Sequence, residues 1–322
     1  TDPLVATIIV TPTFTNEGVS CDGPTESFTI TVNPSAQVDT PDDMVVCNND
    51  LTELVAFTTQ NTNGDTSYTW INDTPSIGLA ATGSVDITSF IAVNEGTEPL
   101  VATIIVTPTF TNEGVSCDGP TESFTITVNP TAQVNVIANE VVCNAEATTV
   151  LFTTDNTVGV TGYAWTSDIE IGAGLTGAGD MSFTATNEGT DPLVATIIVT
   201  PTFTNEGVSC DGPTESFTIT VNPTAQVNVI ANEVVCNAEA ISVLFTTDNT
   251  VGVTGYAWTS DIEIGAGLTG AGDMSFTAAN EGTDPLVATI IVTPTFTNEG
   301  VSCDGPTESF TITVNPTAQV NT

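Results

Sequence analysis

The chain has 322 residues, 39 of them Asp or Glu, and no Lys, Arg or His, for a formal charge of −39. Charged residues are 12% of the whole, against about 25% of both signs in an ordinary globular domain, so the basic half is missing and no acid has been added. Nucleic acid and anionic membrane surfaces are thereby excluded as partners, since both are bound through Lys and Arg, and catalysis loses its usual base, Schiff-base amine and anion clamp.

From the N-terminus, "LVATIIVTPTF" and "SFTITV" are β-branched and alternate apolar with polar residues, as half-buried strands do. Between them "NEGVSCDGP" is turn chemistry of Asn, Gly, Asp and Pro. The thirty residues 5–34 then recur unchanged as 101–130, 194–223 and 287–316. Counted from Asn-Pro to Asn-Pro, the chain divides into 1–34 (the closing part of an earlier repeat), 35–130, 131–223, 224–316 and 317–322, the start of a next one. The last two full repeats differ only where Thr148, Thr149 and Thr186 become Ile241, Ser242 and Ala279. A period of 93 residues exceeds the roughly 20–50 of solenoid units and suits a self-sufficient small domain. The start and stop inside a repeat point to a piece of something longer.

Within 131–223, "AQVNVIA" reads as the first strand, followed by "EVVCN", "TTVLFTTDN" and "GYAWTSDIEI". "GAGLTGAGD" is a loop, and "MSFTAT" leads into the two shared strands. Six to eight short strands at intervals of about ten residues predict an all-β fold: tandem immunoglobulin-like β-sandwiches, beads on an extended string. "TVNPTAQV" at each border reads as a short stiff connector, because Pro fixes its own φ and restricts the residue before it. Thr holds outward strand positions where Lys is usual, so repulsion between acidic faces has to deter edge pairing. No apolar run reaches the ~18 residues of a membrane span.

Cys occurs at 21, 47, 117, 143, 210, 236 and 303, one "VVC" and one "VSC" per full repeat. The expected pairs lie within repeats, Cys47–Cys117, Cys143–Cys210 and Cys236–Cys303, with the mate of Cys21 upstream; such loops of about 70 residues are worth roughly 4 kcal/mol each in the chain-entropy account. Reduced buried thiols, or bridges across a border such as Cys21 with Cys47, are the alternatives. The expected pairing has one difficulty: in a plain immunoglobulin topology the two Cys lie at opposite ends, so "IANEVVC" would have to kink or change sheets. Disulfides imply an oxidising compartment.

Each full repeat also carries a Tyr and a Trp two apart: Tyr68 and Trp70, Tyr163 and Trp165, Tyr256 and Trp258. They share a strand face, either as core packing or as an aromatic platform for a sugar ring. No cofactor is expected. Calcium is the one metal the inventory leaves open, its candidates being Asp168 and Glu170 on one strand face and Glu188 with Asp191 in a turn. Absence of Lys and Arg also leaves no bond for trypsin-like proteases.

The order "VVCN…YAWTS…ATIIVTPTF…CDGP…FTITVNP", carried by Cys143, Trp165, Cys210 and Asn222-Pro223, resembles the PKD-like, immunoglobulin-like repeats of giant Bacteroidota surface proteins. That resemblance implies a stalk or filament of an extracellular adhesin on the cell surface, exported by the type IX route and including gliding adhesins, with no catalytic residues. The partners expected are the neighbouring repeats, with self-association into a filament open. A multivalent sugar-binding array and a calcium-stiffened stalk are the alternatives.

Overall fold

The computed structural model describes residues 1–319, so Val320, Asn321 and Thr322 of the expected next repeat lie outside the described residues. Among the described residues the structure is all-β apart from one short 3-10 turn at Pro75–Ile77. Its contacts divide it into two compact units, one of residues 1–133, 154–161 and 201–213, the other of 134–153, 162–200 and Thr214 onward.

The first unit opens with strands β1 (Leu4–Val10), β2 (Thr13–Asn16), β3 (Val19–Asp22) and β4 (Glu26–Val32), paired β1 with β4 and β2 with β3. It continues with β5 (Met44–Cys47), β6 (Asp65–Asn72), β7 (Thr82–Gly83), β8 (Leu100–Asn112), β9 (Val115–Asp118) and β10 (Glu122–Asn129). These form one sheet in the order β5-β10-β8-β6-β7, with β9 folded back on the far end of β8. Two isolated bridges, Leu51 with Ile91 and Val55 with Ile87, make the facing layer. The core lies between, where Val55, Phe57 and Ile87 meet Trp70, Ile104, Val106 and Ile126.

The same plan recurs twice in the residues that follow. After β11 (Glu140–Cys143), β12 (Ala147–Val150), β13 (Val160–Ser167), β14 (Thr176–Ala178) and β15 (Met181–Thr184) come β16 (Leu193–Asn205), β17 (Val208–Asp211) and β18 (Glu215–Asn222). The same eight recur as β19 (Glu233–Cys236), β20 (Ala240–Val243), β21 (Val253–Ser260), β22 (Thr269–Ala271), β23 (Met274–Thr277), β24 (Leu286–Asn298), β25 (Val301–Asp304) and β26 (Glu308–Asn315). The sheets run β11-β18-β16-β13-β14 and β19-β26-β24-β21-β22, faced by the pairs β12-β15 and β20-β23. A sheet whose first strand lies parallel to its last, facing a smaller antiparallel pair across one core, is an immunoglobulin-like sandwich.

The long strand shows why the sequence folds so. Along β16 the alternate residues Ala195, Ile197, Val199, Pro201 and Phe203 are buried, as a period of two requires for a strand with one face on a core. Five expectations need correction. "VSCD", read as part of a turn, is strand β17, and "TGA", read as part of a loop, is β14. "AQVNVIA" forms no strand; residues 131–139 are irregular, although Ala132 is fully buried. "EVVC" neither kinks nor changes sheets: β11 runs parallel to β18, with Cys143 beside Asn222. Thr127 and Thr220 are buried, not outward, because β5 and β11 cover that stretch of the last strand.

Candidate functional site: the border between repeats

The border begins with a turn. Asn205-Glu206-Gly207-Val208 joins β16 to β17, with φ of +48° at Glu206 and +79° at Gly207. Positive φ at both central residues is the I′ hairpin geometry, whose twist matches that of the strands, and it sets their register. The result is an arm that places Cys210 opposite Phe203. Phe203 is fully buried and seats on Gly159, where an added Cβ would come within 2.6 Å of the ring.

Cys47 ends β5, level with Asn129 at the last residue of β10. It is bonded to Cys210 in the arm of the following repeat, with a Cα–Cα distance of 5.6 Å. Cys143 is bonded to Cys303 in the same way, also at 5.6 Å. The expected pairs Cys47–Cys117, Cys143–Cys210 and Cys236–Cys303 are therefore corrected, and Cys21–Cys47 does not form either: Cys21, Cys117 and Cys236 are bridged to no cysteine within residues 1–322. The physical reason is distance along the sheet. Cys47 is level with Asn129, and Cys117 sits opposite Phe110, four residues beyond Val106, which pairs with Glu122. Eleven strand residues separate the two levels, about 36 Å at ~3.3 Å each, whereas a disulfide spans Cα atoms no more than ~7 Å apart.

Around each bridge the same polar contacts recur. Asn205 Nδ2 donates to Asn129 Oδ1 at 3.0 Å, as Asn298 does to Asn222 and Asn112 to Asn33. Asn129 and Asn222 are fully buried, and each donates in return to a backbone carbonyl, of Asn205 at 3.4 Å and of Asn298 at 3.5 Å. Asn156 Nδ2 donates to Thr97 O at 3.2 Å and Asn249 Nδ2 to Thr190 O at 2.9 Å. The Thr157 hydroxyl donates to Glu98 at 2.6 Å. That of Thr250 donates to Asp191 at 2.5 Å, joined by the Thr250 and Val251 N–H groups. The Thr250 hydroxyl, foremost, holds the Asp191 carboxyl below its usual range. With no Lys, Arg or His in the chain, every one of these contacts is an amide or hydroxyl bond.

The segment after Asn-Pro is held by its own repeat. A Cβ on Gly212 would stand 1.9 Å from the Ala132 carbonyl oxygen, so only glycine admits this approach. The expected connector is thus packed as well as short.

The other candidates fall elsewhere. Trp70, Trp165 and Trp258 are buried in the three cores, with Tyr68, Tyr163 and Tyr256 packed against them. The Trp70 indole donates to Val85 O at 2.9 Å. Gly83, Gly177 and Gly270 lie flat on the three rings, where a Cβ would be 2.2 Å away. Asp168 and Glu170 lie beyond the end of β13 and not on a strand face. Asp168 accepts the Thr196 N–H at 2.7 Å, and Glu170 accepts those of Gly172 and Gly174. Glu188 and Asp191 stay in their turn, where Asp191 is engaged by Thr250. Among the described residues no three Asp, Glu or Cys gather as a metal site would need.

The Asn of Asn-Pro entered the sequence reading only as the mark of a border and of the resemblance, and the Asn at the arm tip did not enter it; neither was read as a contact. Their signal was present: both belong to the stretch 101–130 and its copies, which is repeated without a single change.

No family model matches the chain, and no curated protein does. Among solved structures it is similar to the three N-terminal domains of the bacteriophage RB49 highly immunogenic outer capsid protein, at TM-score 0.42 and 14% identity over 88% of this chain and 99% of that one. Repeats EC22–24 of mouse cadherin-23 match at TM-score 0.38 and 13% identity, over 88% and 100%. Drosophila N-cadherin EC1–4 matches at 0.32 and 15%, over 98% and 84%. These likenesses are weak, and the fold assignment rests on the chain's own sheets.

Proposed function

We propose that the chain is a structural segment of an extracellular stalk or filament of a large surface adhesin, of the kind its resemblance to Bacteroidota surface repeats implies, and that each repeat acts as one spacer domain. The observation that carries this is the pair of disulfides joining each repeat to the next rather than closing on itself. Covalent continuity from repeat to repeat serves a part that bears load, and bridges of this kind belong to an oxidising compartment outside the cytoplasm. Near-identity of the repeats agrees with a spacer, in which each copy is interchangeable. No catalytic role is assigned, since a chain without His, Lys or Arg has only carboxylates, hydroxyls and thiols to work with.

Neither alternative gains support from the residues it would use. A sugar platform needs an exposed ring, and all three Trp are buried. A calcium-stiffened stalk needs converging carboxylates, and Asp168, Glu170 and Asp191 accept backbone N–H and Thr hydroxyl hydrogen bonds instead.

The test is electron microscopy of the isolated chain beside one lengthened by further copies of 224–316, with antibody labelling of intact cells of the source. The reading expects thin threads whose length rises linearly with repeat number, and label on the cell exterior. Compact particles of constant length, or label confined to the cytoplasm, would refute it.

A further inference from the structure

Cys47–Cys210 closes a loop over residues 47–210, and Cys143–Cys303 closes one over 143–303, so the two loops share 143–210. We infer that this overlap makes the bridges a redundant tether: both must be lost before the chain yields its length to a pull on its ends. The property belongs to the covalent pairing and goes beyond the stalk proposal, on which it does not rest.

The sizes follow from connectivity alone. With both bridges closed, the shortest covalent route from end to end runs along 1–47, crosses to 210, goes back to 143, crosses to 303 and continues to 322. At ~3.5 Å per extended residue that route is about 460 Å long when taut, against about 1,100 Å for the chain with both bridges open.

Opening Cys143–Cys303 alone leaves the route 1–47 and 210–322, and opening Cys47–Cys210 alone leaves 1–143 and 303–322. On the same scale these routes are about 550 Å and about 560 Å. The bridged cysteines lie 163 and 160 positions apart in sequence. Even so, each single loss releases only about 100 Å, whereas the double loss releases about 660 Å. Bridges closed within single repeats would share no residues, and each loss would release its whole loop. The overlap arises from the fold: the parallel pairing of β5 with β10 carries the first Cys to the outgoing end of its repeat, and the arm carries the second to the incoming end of the next.

The experiment is single-molecule stretching of the full chain through non-thiol end tags. The taut length is read for the oxidised wild type, for the wild type in reductant, and for two paired variants, Cys47→Ser with Cys210→Ser and Cys143→Ser with Cys303→Ser. The inference expects about 460 Å for the oxidised wild type and an increase of about 2.4-fold on reduction. For the two variants, in the order named, it expects about 560 Å and about 550 Å. An oxidised wild type that already reaches the reduced length would overturn it. So would a variant near about 880 Å, the length that a surviving Cys47–Cys117 or Cys236–Cys303 pair would leave. Because a variant could mispair, Val208→Ile, which keeps every cysteine and marks by mass the Cys210 peptide among its otherwise identical copies, is also cleaved at Asp and Glu without reductant. A Cys47 peptide linked to the marked peptide supports the inference, and one linked to an unmarked copy, as Cys47–Cys117 would be, overturns it. A chain that stops at the expected oxidised length yet proves cytoplasmic would sink the stalk reading alone.

Discussion

Residues 5–34 and 101–130 are the same thirty residues in two settings. They pair alike: Ile8 faces Phe28 as Ile104 faces Phe124, and Phe14 faces Cys21 as Phe110 faces Cys117. Their burial is opposite. Phe14 is 74% exposed and Phe28 53%, whereas Phe110 is 0% and Phe124 3%. The backbone differs at one point. β8 runs unbroken through Thr107-Pro108, where Tyr68 of β6 lies opposite the proline, while the first copy has β1 and β2 separated at Thr11-Pro12. Hairpin pairing and turn type are therefore local properties of this sequence. The straight long strand and the core are properties of the strands packed against it, since proline lacks the ladder N–H and a partner strand has to hold the chain past it.

The sharpest way to break that comparison is to truncate the same phenylalanine twice. Phe110→Ala removes a fully buried ring and is expected to cost about 3–5 kcal/mol. Phe14→Ala, made in a chain of residues 1–322, removes a ring that is exposed there and is expected to change stability by less than about 0.5 kcal/mol. Amide hydrogen exchange across 35–130 reads the first and across 1–34 the second. Equal effects would mean that the first copy is as buried as the second and would dissolve the contrast.

Much of the sandwich could be read from residues alone. The alternation of "ATIIVTPTF" marks a half-buried strand, "NEGVSCDGP" was legible as a turn only in its first residues, since "VSCD" is strand β17, and the Tyr–Trp spacing shows that both rings share a face. What could not be read was the end of the sandwich at which each Cys emerges. Cys47 and Cys117 are neighbours in repeat counting, and their spacing is compatible with many folds. Only the parallel register of β5 on β10 sends Cys47 to the outgoing end. A parallel neighbour leaves no local mark, because its partner lies most of a repeat away and contributes no turn. The candidate border suffered likewise: Asn129 looked like part of a connector, and its burial depends on an arm from the next repeat.

A second comparison uses glycine. A Cβ on Gly119 would meet the Ala36 carbonyl oxygen at 1.9 Å, whereas on Gly23 it would meet Pro12 Cγ at 3.1 Å. Gly119→Ala has to push backbone aside and is expected to cost about 1–3 kcal/mol, as overpacking does. Gly23→Ala asks a proline ring to shift by a few tenths of an ångström and is expected to cost well under about 1 kcal/mol. Denaturant midpoints of the two variants decide. If Gly23→Ala proved the more harmful, the close approach after Asn-Pro would not be what fixes glycine in this arm.

The smallest effect expected is at the border acids, where Asp191 holds the place that Asp2 and Glu98 hold in the other copies. The Thr250 hydroxyl, with the Thr250 and Val251 N–H groups, bonds the ionised Asp191 carboxylate and so lowers its folded pKa. A depressed carboxylate contributes above its unfolded pKa, near 4, and that contribution is lost as pH falls through the lower folded value. Protection of the Thr250 and Val251 amides is therefore expected to decline below about pH 4 in the wild type and to be flat with pH in Asp191→Asn. The group is fully exposed, so the change is a local loosening and the repeat stays folded. Added salt is expected to leave it nearly unchanged, since no ion pair is involved and screening acts on charge pairs. An identical acid decline in Asp191→Asn would place the titrating group elsewhere and leave the bridge and the buried Asn pair as the features that hold this border.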